Sequence, residues 1–354
     1  MSRRSTRLIK AALTALHYSR LDELLTPYTS GIGVVFALHH VTPEPQRAFE
    51  PNRILKVTPD FLETVVTSVR AAGFEIVDLD EVGRRMREGW QDRPPFAAFT
   101  FDDGYRDNRD HAYPVLKKHG VPFTIYVPSD FADGRGQLWW LVLERAIERL
   151  AQIVVPIGGR EQRLASASIA EKHATFHKVY WWLRAIPEAE ARGHVADLAR
   201  RAGLDDHAPC AELVMGWDEL RALARDPLVT IGAHTRGHFA LAKLSEADAR
   251  QQMGASVAII ERQLDRPCRH FSYPYGCEHS AGPREFRMAA ELGLTTAVTT
   301  RKGLLGGGES VHALPRLSLN GDYQDVRYLK ALLSGVPFAL WNALSRGPAP
   351  AQAA

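Results

Sequence analysis

Ionisable side chains at the ends of two predicted strands have the types and spacing for hydrolysis on a metal ion. Asp102 and Asp103 end one apolar run, and His234 and His238 follow another in the sequence HTRGH. Two imidazoles with this spacing suit two nitrogen ligands of one divalent ion. Adding a carboxylate completes a set that leaves positions open for water and a substrate oxygen, as a catalytic site requires.

The two carboxylates can divide this chemistry between them. Successive side chains of a strand point to opposite sides, but a strand ending at Gly104 can turn and deliver both to one pocket. One carboxylate would then bind the ion. The other would accept a proton from water, whose pKa a divalent ion lowers to near 7. Without the histidines, Asp-Asp-Gly would indicate an ordinary solvated turn.

Short runs rich in β-branched and aromatic residues must position these groups. They are GVVFAL (33–38), FEIVDL (74–79), FAAFTF (96–101), FTIYV (123–127), LVTIGA (228–233), HFSYP (270–274) and TTAVTT (295–300), with HALPRLSL (312–319) as an eighth candidate. The segments between them include helix-like stretches at 60–72, 107–119, 246–264 and 283–292. This alternation predicts an α/β fold with a parallel sheet, closed as a (β/α) barrel of about seven strands. An open doubly wound sheet is the alternative, but no GxGxxG follows the first strand.

In a barrel, the residues that follow different strands share one rim. The first strand ends in His39-His40 and the sixth in Tyr273-Pro274-Tyr275-Gly276, so these residues are expected near the aspartates. We interpret 31–325 as the barrel domain, with a helical insertion over about 130–214. Residues 1–30 are expected to form an N-terminal amphipathic helical segment, and 326–354 a C-terminal helix with a disordered tail.

The composition is that of an ordinary soluble protein. The 354 residues carry a net charge of +3, too small and too evenly spread for nucleic-acid binding. Three cysteines without CxxC spacing favour a reducing compartment and indicate neither a disulfide framework nor a zinc–thiolate site. No signal peptide and no transmembrane segment is recognisable, so we expect a cytoplasmic location, with the oligomeric state open.

The first twenty residues carry five Lys or Arg and no acidic residue. Ile9, Leu13 and Leu16 recur there at helical spacing. Such a basic helix suits peripheral contact with an anionic surface such as the inner membrane. The alternative is a helix packed on the domain.

The motifs TFDDG (100–104) and HTRGH (234–238), in this order and after strands, resemble the first two motifs of the polysaccharide deacetylases, carbohydrate esterase family four with its NodB-like homology domain. FSYPYG (271–276) takes the position of the third motif, and the resemblance extends over roughly 33–320. It implies a distorted (β/α) barrel, usually of seven strands. It also implies removal of acetyl groups from N-acetylhexosamine units such as N-acetylglucosamine.

Carried over residue by residue, the resemblance implies Asp102 as the catalytic base. Asp103, His234 and His238 would be the ligands of a divalent ion, Zn²⁺ or else Co²⁺, Ni²⁺ or Mn²⁺. The backbone N–H of Tyr275 would stabilise the tetrahedral oxyanion.

Two further positions are implied to contact substrate. Pro274 lies in the third motif, and Trp139 opens the insertion where related enzymes have a tryptophan lining the groove. Aromatic faces suit sugar rings. The alternative is that Trp139 and Trp140 belong to the core, since a pair of large apolar residues at a helix start is more often core.

The third motif departs from the family's pattern. An Arg usually stands two residues before its Pro, poised against the catalytic base, but Ser272 occupies this position here. Arg316, in LPRLSL at the end of the last predicted strand, is predicted to take its place. A structural ion pair at the barrel end is the alternative reading of Arg316.

The general acid is the second departure. Usual members supply a His from a late strand, for which His312 is the candidate. FALHHVTPEP (36–45) instead resembles the opening of a permuted subgroup that includes biofilm poly-N-acetylglucosamine deacetylases, in which His39 takes the acid's position. An acid is needed because an amine leaves poorly unless it is protonated. We favour His39 over His312, with His40 as the third candidate.

The sequence therefore predicts a metal-dependent hydrolase that deacetylates an N-acetylated glycan or glycolipid, such as a lipid-linked precursor of a cell-envelope polysaccharide. One alternative is a hydrolase of another C–N or O-acetyl bond, since the metal site does not encode the acyl acceptor. The other is a glycan-binding homologue that has lost catalysis.

Overall fold

A computed structural model describes residues 3–90 and 93–345. The strands are β1 (Gly33–Leu38), β2 (His40–Val41), β3 (Lys56–Val57), β4 (Glu75–Ile76), β5 (Phe96–Phe101), β6 (Phe123–Val127), β7 (Gln152–Val155), β8 (Gln162–Ala165), β9 (Val229–Ala233), β10 (His270–Ser272), β11 (Thr296–Val298) and β12 (Leu317–Ser318). The α-helices are α1 (Arg3–Tyr18), α2 (Leu21–Thr29), α3 (Pro59–Ala71), α4 (Leu79–Glu88), α5 (Tyr113–Lys118), α6 (Ser129–Ala132), α7 (Trp139–Arg149), α8 (Ile169–Ala185), α9 (Glu188–Arg201), α10 (Ala208–Leu213), α11 (Trp217–Leu223), α12 (Glu246–Leu264), α13 (Pro283–Glu291), α14 (Val326–Leu333) and α15 (Val336–Ser345). The tail predicted to be disordered lies, from residue 346 onward, outside the described residues.

The central sheet is parallel and curls back on itself. Seven strands follow the order β11-β10-β9-β6-β5-β1-β12, and β4 pairs with β5 beside this path. The segment before β12 returns to the other edge, where Leu314 forms a parallel bridge with Val298 of β11. The predicted distorted (β/α) barrel is thus confirmed, with Arg316 on the segment that closes it.

Five strands of the central sheet, β1, β5, β6, β10 and β11, are buried on both faces, which explains their continuous apolar runs. In β1, Val34 and Phe36 belong to the large apolar cluster that includes α3 and α12. Val35, between them, belongs to a separate cluster with Ala98 and Tyr126. Because successive side chains alternate, the two clusters lie on opposite faces of the sheet.

The helices predicted between the strands form close to their predicted bounds. The 60–72 segment gives α3, which begins with Pro59 at its first turn and Thr58 as N-cap, whose side chain accepts from the backbone N–H of Phe61. The segments 246–264 and 283–292 give α12 and α13, and 107–119 gives a π-helical turn followed by α5.

The 130–214 insertion is helical except for one β-hairpin. The prediction of helices alone is wrong for the antiparallel pair β7–β8. Gln152 is exposed while Ile153 and Val155 are buried, a two-residue alternation too short to stand out from the flanking helices. Gly158 and Gly159, both with positive φ, make the turn.

Four helices from the two ends of the described chain pack together. We call α1, α2, α14 and α15 the terminal helix group. The hydroxyl of Thr29 at the end of α2 donates to the carbonyl of Ser334, just before α15, at 2.5 Å. No helix within residues 3–90 and 93–345 combines the length and the apolar character needed to cross a membrane.

Candidate active site

Asp103, His234 and His238 lie together at the carboxyl ends of β5 and β9. Their ligand atoms are all within 4.8 Å of one another, and all three side chains are buried. Asp103 Oδ1 lies 3.6 Å from His234 Nε2 and 3.3 Å from His238 Nε2. The structure thus brings the three predicted ligands into one constellation.

The polar atoms of this constellation fit a divalent metal ion. Asp103 Oδ1 is buried without a hydrogen-bond partner among the described residues, which is unfavourable unless another group satisfies it. His234 Nδ1 donates to the Ser272 carbonyl at 2.6 Å, so the lone pair is on Nε2, toward Asp103. Burial and the neighbouring charge of Asp102 raise the pKa of Asp103 well above its usual value, so a cation there would keep it ionised.

The loops of the site have strained backbone. Asp103, Thr235, His238 and Tyr275 all have positive φ, between 59° and 73°. They are four of the six non-glycine residues with positive φ in the described part of the chain. This conformation is unfavourable for L-residues and is concentrated at functional sites. Gly104, with φ 70°, extends the turn that places both aspartates in one pocket.

Arg316 lies against Asp102, as the sequence suggested. Its Nη1 and Nη2 donate to the two carboxylate oxygens at 2.9 and 2.7 Å. The other donors reach the Thr299 carbonyl at 2.8 Å and the hydroxyls of Thr100 and Ser272 at 3.0 Å each. All five N–H groups of the buried guanidinium are therefore satisfied. Ser272, which replaces the family's usual arginine, contributes one acceptor.

Asp102 and Asp103 have opposite electrostatic environments. Burial alone would raise the pKa of Asp102, but the charge and hydrogen bonds of Arg316 outweigh it and hold this pKa below its usual value. Asp102 is therefore ionised at neutral pH without any ion. Two neighbouring carboxylates with divergent pKa values are typical of sites that give them different tasks.

Of the three candidate histidines, His39 is the one beside Asp102. Its Nε2 lies 3.9 Å from Asp102 Oδ2, with 23% of the side chain exposed. Desolvation lowers the pKa of His39 to about 4, against the opposing attraction of Asp102. The imidazole is therefore neutral in the free protein at neutral pH and keeps a nitrogen lone pair beside Asp102 and the Asp103, His234 and His238 group.

His40 and His312 have other partners. His40 Nδ1 donates to Asp107 Oδ2 at 2.6 Å, and its ring stacks on Tyr105 at 3.6 Å between centroids. His312 Nε2 donates at 2.8 Å to the carbonyl of Leu294, which precedes the amino end of β11. His312 is therefore at the opposite edge of the sheet from the two aspartates.

Trp139 is packed behind Tyr275. Its indole N–H donates to the Tyr275 hydroxyl at 2.7 Å, and only 4% of the residue is exposed, with Trp140 and Tyr180 against its ring. The Tyr275 ring lies 4.8 Å from the His238 ring. Pro274 is buried directly before Tyr275. Little of Trp139 is thus open to a sugar ring.

The insertion contributes two arginines that carried no sequence signal. The Arg184 guanidinium lies over the Tyr275 ring, 3.5 Å from its centroid, within the range of a cation–π interaction. Arg192 Nη2 donates to the carbonyls of Gly237 and His238 at 3.0 and 3.1 Å. The insertion therefore holds two loops of the site, which spacing along the chain could not reveal.

Trp139→Phe should destabilise the protein by about 1 kcal/mol more than Trp140→Phe. Both substitutions remove the same volume from the core. Only the first takes a donor from the Tyr275 hydroxyl, because the indole N–H of Trp140 has no acceptor within hydrogen-bonding distance among the described residues. Chemical denaturation of both variants measures the difference, and equal midpoints would show that the hydrogen bond contributes nothing.

The comparisons with known proteins agree with this geometry. The family model of polysaccharide deacetylase matches residues 91–297. Within the 40 residues aligned to YxkH of Bacillus subtilis (strain 168), whose name places it with polysaccharide deacetylases, 52% are identical. That alignment spans 10% of this chain and 14% of YxkH, so it covers a small part of either protein.

Two experimental structures share the fold over most of the chain. The Streptococcus pyogenes deacetylase PplD, solved in complex with acetate, is 16% identical with a TM-score of 0.55, covering 84% of this chain and 97% of PplD. IcaB from Ammonifex degensii is 16% identical with a TM-score of 0.52, covering 86% of this chain and 97% of IcaB. Since the family model alone spans more than half of the sequence, the chain belongs to the polysaccharide deacetylase family.

Proposed function

We propose that the protein is a metal-dependent deacetylase acting on N-acetylhexosamine units of a polysaccharide or lipid-linked glycan. Membership of the family supports an acetylated glycan as substrate. The observation that carries the metal dependence is the buried group of Asp103, His234 and His238 beside an ionised Asp102.

Asp103, His234 and His238 would hold the ion, and nitrogen donors with one carboxylate favour Zn²⁺. When bound, a divalent ion supplies a Lewis acid for the acetyl carbonyl and lowers the pKa of a water molecule.

Asp102 takes the proton from the attacking water. Its carboxylate is ionised, and the two-point contact with Arg316 fixes its orientation while leaving lone pairs free. Arg316 thus acts as a positioning residue for the base. Its positive charge also keeps the pKa of Asp102 low, although the pKa of the neighbouring Asp103 is raised.

Tyr275 supplies the oxyanion donor. Its backbone N–H donates to no acceptor among the described residues. The Thr300 hydroxyl holds the Tyr275 carbonyl at 2.5 Å, and the positive φ of Tyr275 redirects the backbone at this point. A preorganised N–H of this kind stabilises the developing negative charge of a tetrahedral intermediate.

His39 receives the proton that Asp102 takes from water, since its Nε2 lies 3.9 Å from Asp102 Oδ2, and delivers it to the departing amine. His39→Ala should therefore lower kcat/KM for an N-acetylated sugar by about 10²-fold. The loss should be much smaller with 4-nitrophenyl acetate, because nitrophenolate leaves without protonation. Rates for both substrates, measured on the same preparation, separate loss of the acid from general damage.

His312→Ala is the matched control for this prediction. It lies at the far edge of the sheet, so both substrates should be hydrolysed within about twofold of the wild-type rate. A substrate-dependent loss in His312→Ala, with none in His39→Ala, would reassign the acid to His312.

Acetate release from N-acetylglucosamine oligomers and from lipid-linked N-acetylated sugars tests the function as a whole. We expect release that a chelator abolishes and that Zn²⁺, Co²⁺, Ni²⁺ or Mn²⁺ restores. Chelator-resistant release would refute the metal mechanism. Acetate release from O-acetyl substrates alone would identify the protein as an esterase of O-acetyl groups instead. Glycan binding without acetate release would identify it as an inactive homologue.

A further inference from the structure

We propose that the terminal helix group forms a docking surface for an anionic lipid bilayer. Twelve large apolar side chains are exposed among the described residues, and eight of them lie on α1, α2 and α15. The other four are scattered over the loops and the insertion. Such a concentration of exposed apolar surface marks an interaction site.

Helix α2 has its apolar side toward solvent. Leu21, Leu24 and Tyr28, spaced as one helical stripe, are 46%, 68% and 86% exposed. Of the buried or half-buried residues of α2, only Leu25 is apolar; buried Asp22 lies 3.4 Å from the His17 imidazole, and Thr29 donates to the chain before α15. A surface helix of a water-soluble domain normally has the opposite arrangement.

Helix α1 continues this exposed apolar surface. Leu13 is buried and Lys10 lies over the Tyr323 ring, so this side contacts the protein. Leu8 and Tyr18 are exposed, at 72% and 69%. Of the three apolar residues that recur at helical spacing in α1, Ile9, Leu13 and Leu16, only Leu13 is buried, and Ile9 is 39% exposed.

Helix α15 contacts α2 and adds the largest side chain of the surface. Trp341 is 71% exposed and Leu340 57%. Tryptophan is favoured at the boundary between lipid headgroups and acyl chains, where one part of the ring is apolar and the other wet.

The charge around these side chains selects the partner. Among the described side chains on or beside these helices, Arg7, Arg20 and Lys330 are exposed, against one exposed acid, Glu23, which is paired with Arg20 at 2.7 Å. Basic residues beside exposed apolar ones match an anionic bilayer. A second copy of the chain, meeting the same face through a twofold axis, would bring like charges together.

Flotation of the full-length protein with vesicles tests the surface. We expect binding to vesicles of equal parts phosphatidylcholine and phosphatidylglycerol, weakened by salt, and little binding to phosphatidylcholine alone. Leu24→Glu/Trp341→Glu should weaken binding at least about tenfold. Quenching of Trp341 fluorescence by brominated lipid, absent in Trp341→Phe, gives a second measurement.

The matched control places the same charges on exposed apolar residues outside the surface. Ile169→Glu/Trp181→Glu, on α8, should bind as the wild type does. Equal binding by both double variants would overturn the proposal. Equal affinity for neutral and anionic vesicles would also overturn it. A further contrary result would be a wild-type protein that binds no vesicles but forms a dimer, which Leu24→Glu/Trp341→Glu dissociates.

Membrane binding and the proposed chemistry can fail separately. Asp103→Ala should float with anionic vesicles like the wild type. Leu24→Glu/Trp341→Glu should release acetate from soluble oligomers at the wild-type rate, because neither residue lies near the site. Loss of vesicle binding in Asp103→Ala would overturn the proposed docking surface. A wild-type protein that binds vesicles but releases no acetate would overturn only the proposed chemistry.

Discussion

Asp103→Ala is expected to abolish tight binding of a divalent ion and to lower acetate release at least about 10³-fold. A catalytic ion contributes several kcal/mol to the transition state, and each 1.4 kcal/mol is about tenfold in rate. The carboxylate of Asp103 is the common neighbour of both imidazoles, at 3.6 and 3.3 Å, so its removal leaves two ligands. Metal content after dialysis and acetate release are the measurements.

The unfolding temperature, measured with and without metal, tests this prediction independently of activity. A ligand that binds only the folded state raises the unfolding temperature. Added Zn²⁺ should therefore stabilise the wild type and leave Asp103→Ala unchanged. Asp133→Ala, an aspartate outside the constellation, is the control and should keep both metal response and activity. A full metal response in Asp103→Ala would contradict the assignment of this carboxylate as a ligand.

Arg316→Met is expected to destabilise the protein by about 3–5 kcal/mol and to remove nearly all activity. The substitution leaves Asp102 as an unpaired buried charge, and the Thr299, Thr100 and Ser272 oxygens lose their donor. By contrast, Arg250→Ala should change stability by less than about 0.5 kcal/mol, because its pairs with Glu246 and Glu291 are exposed.

A double variant separates the stabilising role of Arg316 from its effect on the base. Asp102→Asn/Arg316→Met removes both charges, so much of the lost stability should return while the activity does not. Urea denaturation and acetate release are measured on the same preparations. Equal rates for Arg316→Met and Arg250→Ala would rule out any role of Arg316 in positioning Asp102.

Three strands of the barrel could be predicted closely because they are buried on both faces. Continuous apolar runs identified β1, β5 and β6 to the residue, since such runs exclude a surface helix. The short strands β4 and β12 cover only part of their predicted runs. In the insertion, the two-residue alternation of β7 and β8 was too brief to compete with the helical composition around it.

The candidate site was predictable where single strands end and unpredictable where distant parts of the fold meet. Asp103 and His238 could be placed on one rim because parallel strands share their carboxyl edge. His312 lies near the aspartates only if it packs at the carboxyl end of β11, and the sequence does not show at which end of β11 it packs. Arg184 reaches Tyr275 through the packing of a helix on the barrel, and no spacing encodes that contact.

The closing segment of the barrel has a consequence for the order of assembly. Arg316 lies on the stretch that joins β11 to β1, and this stretch follows every other strand of the sheet in the chain. During synthesis from the amino end, Asp102 is made more than 200 residues before its partner. The nascent chain therefore contains both aspartates and both histidines of the proposed metal site while the buried carboxylate of Asp102 still lacks its guanidinium partner. Asp102 is compensated only when the last strand docks.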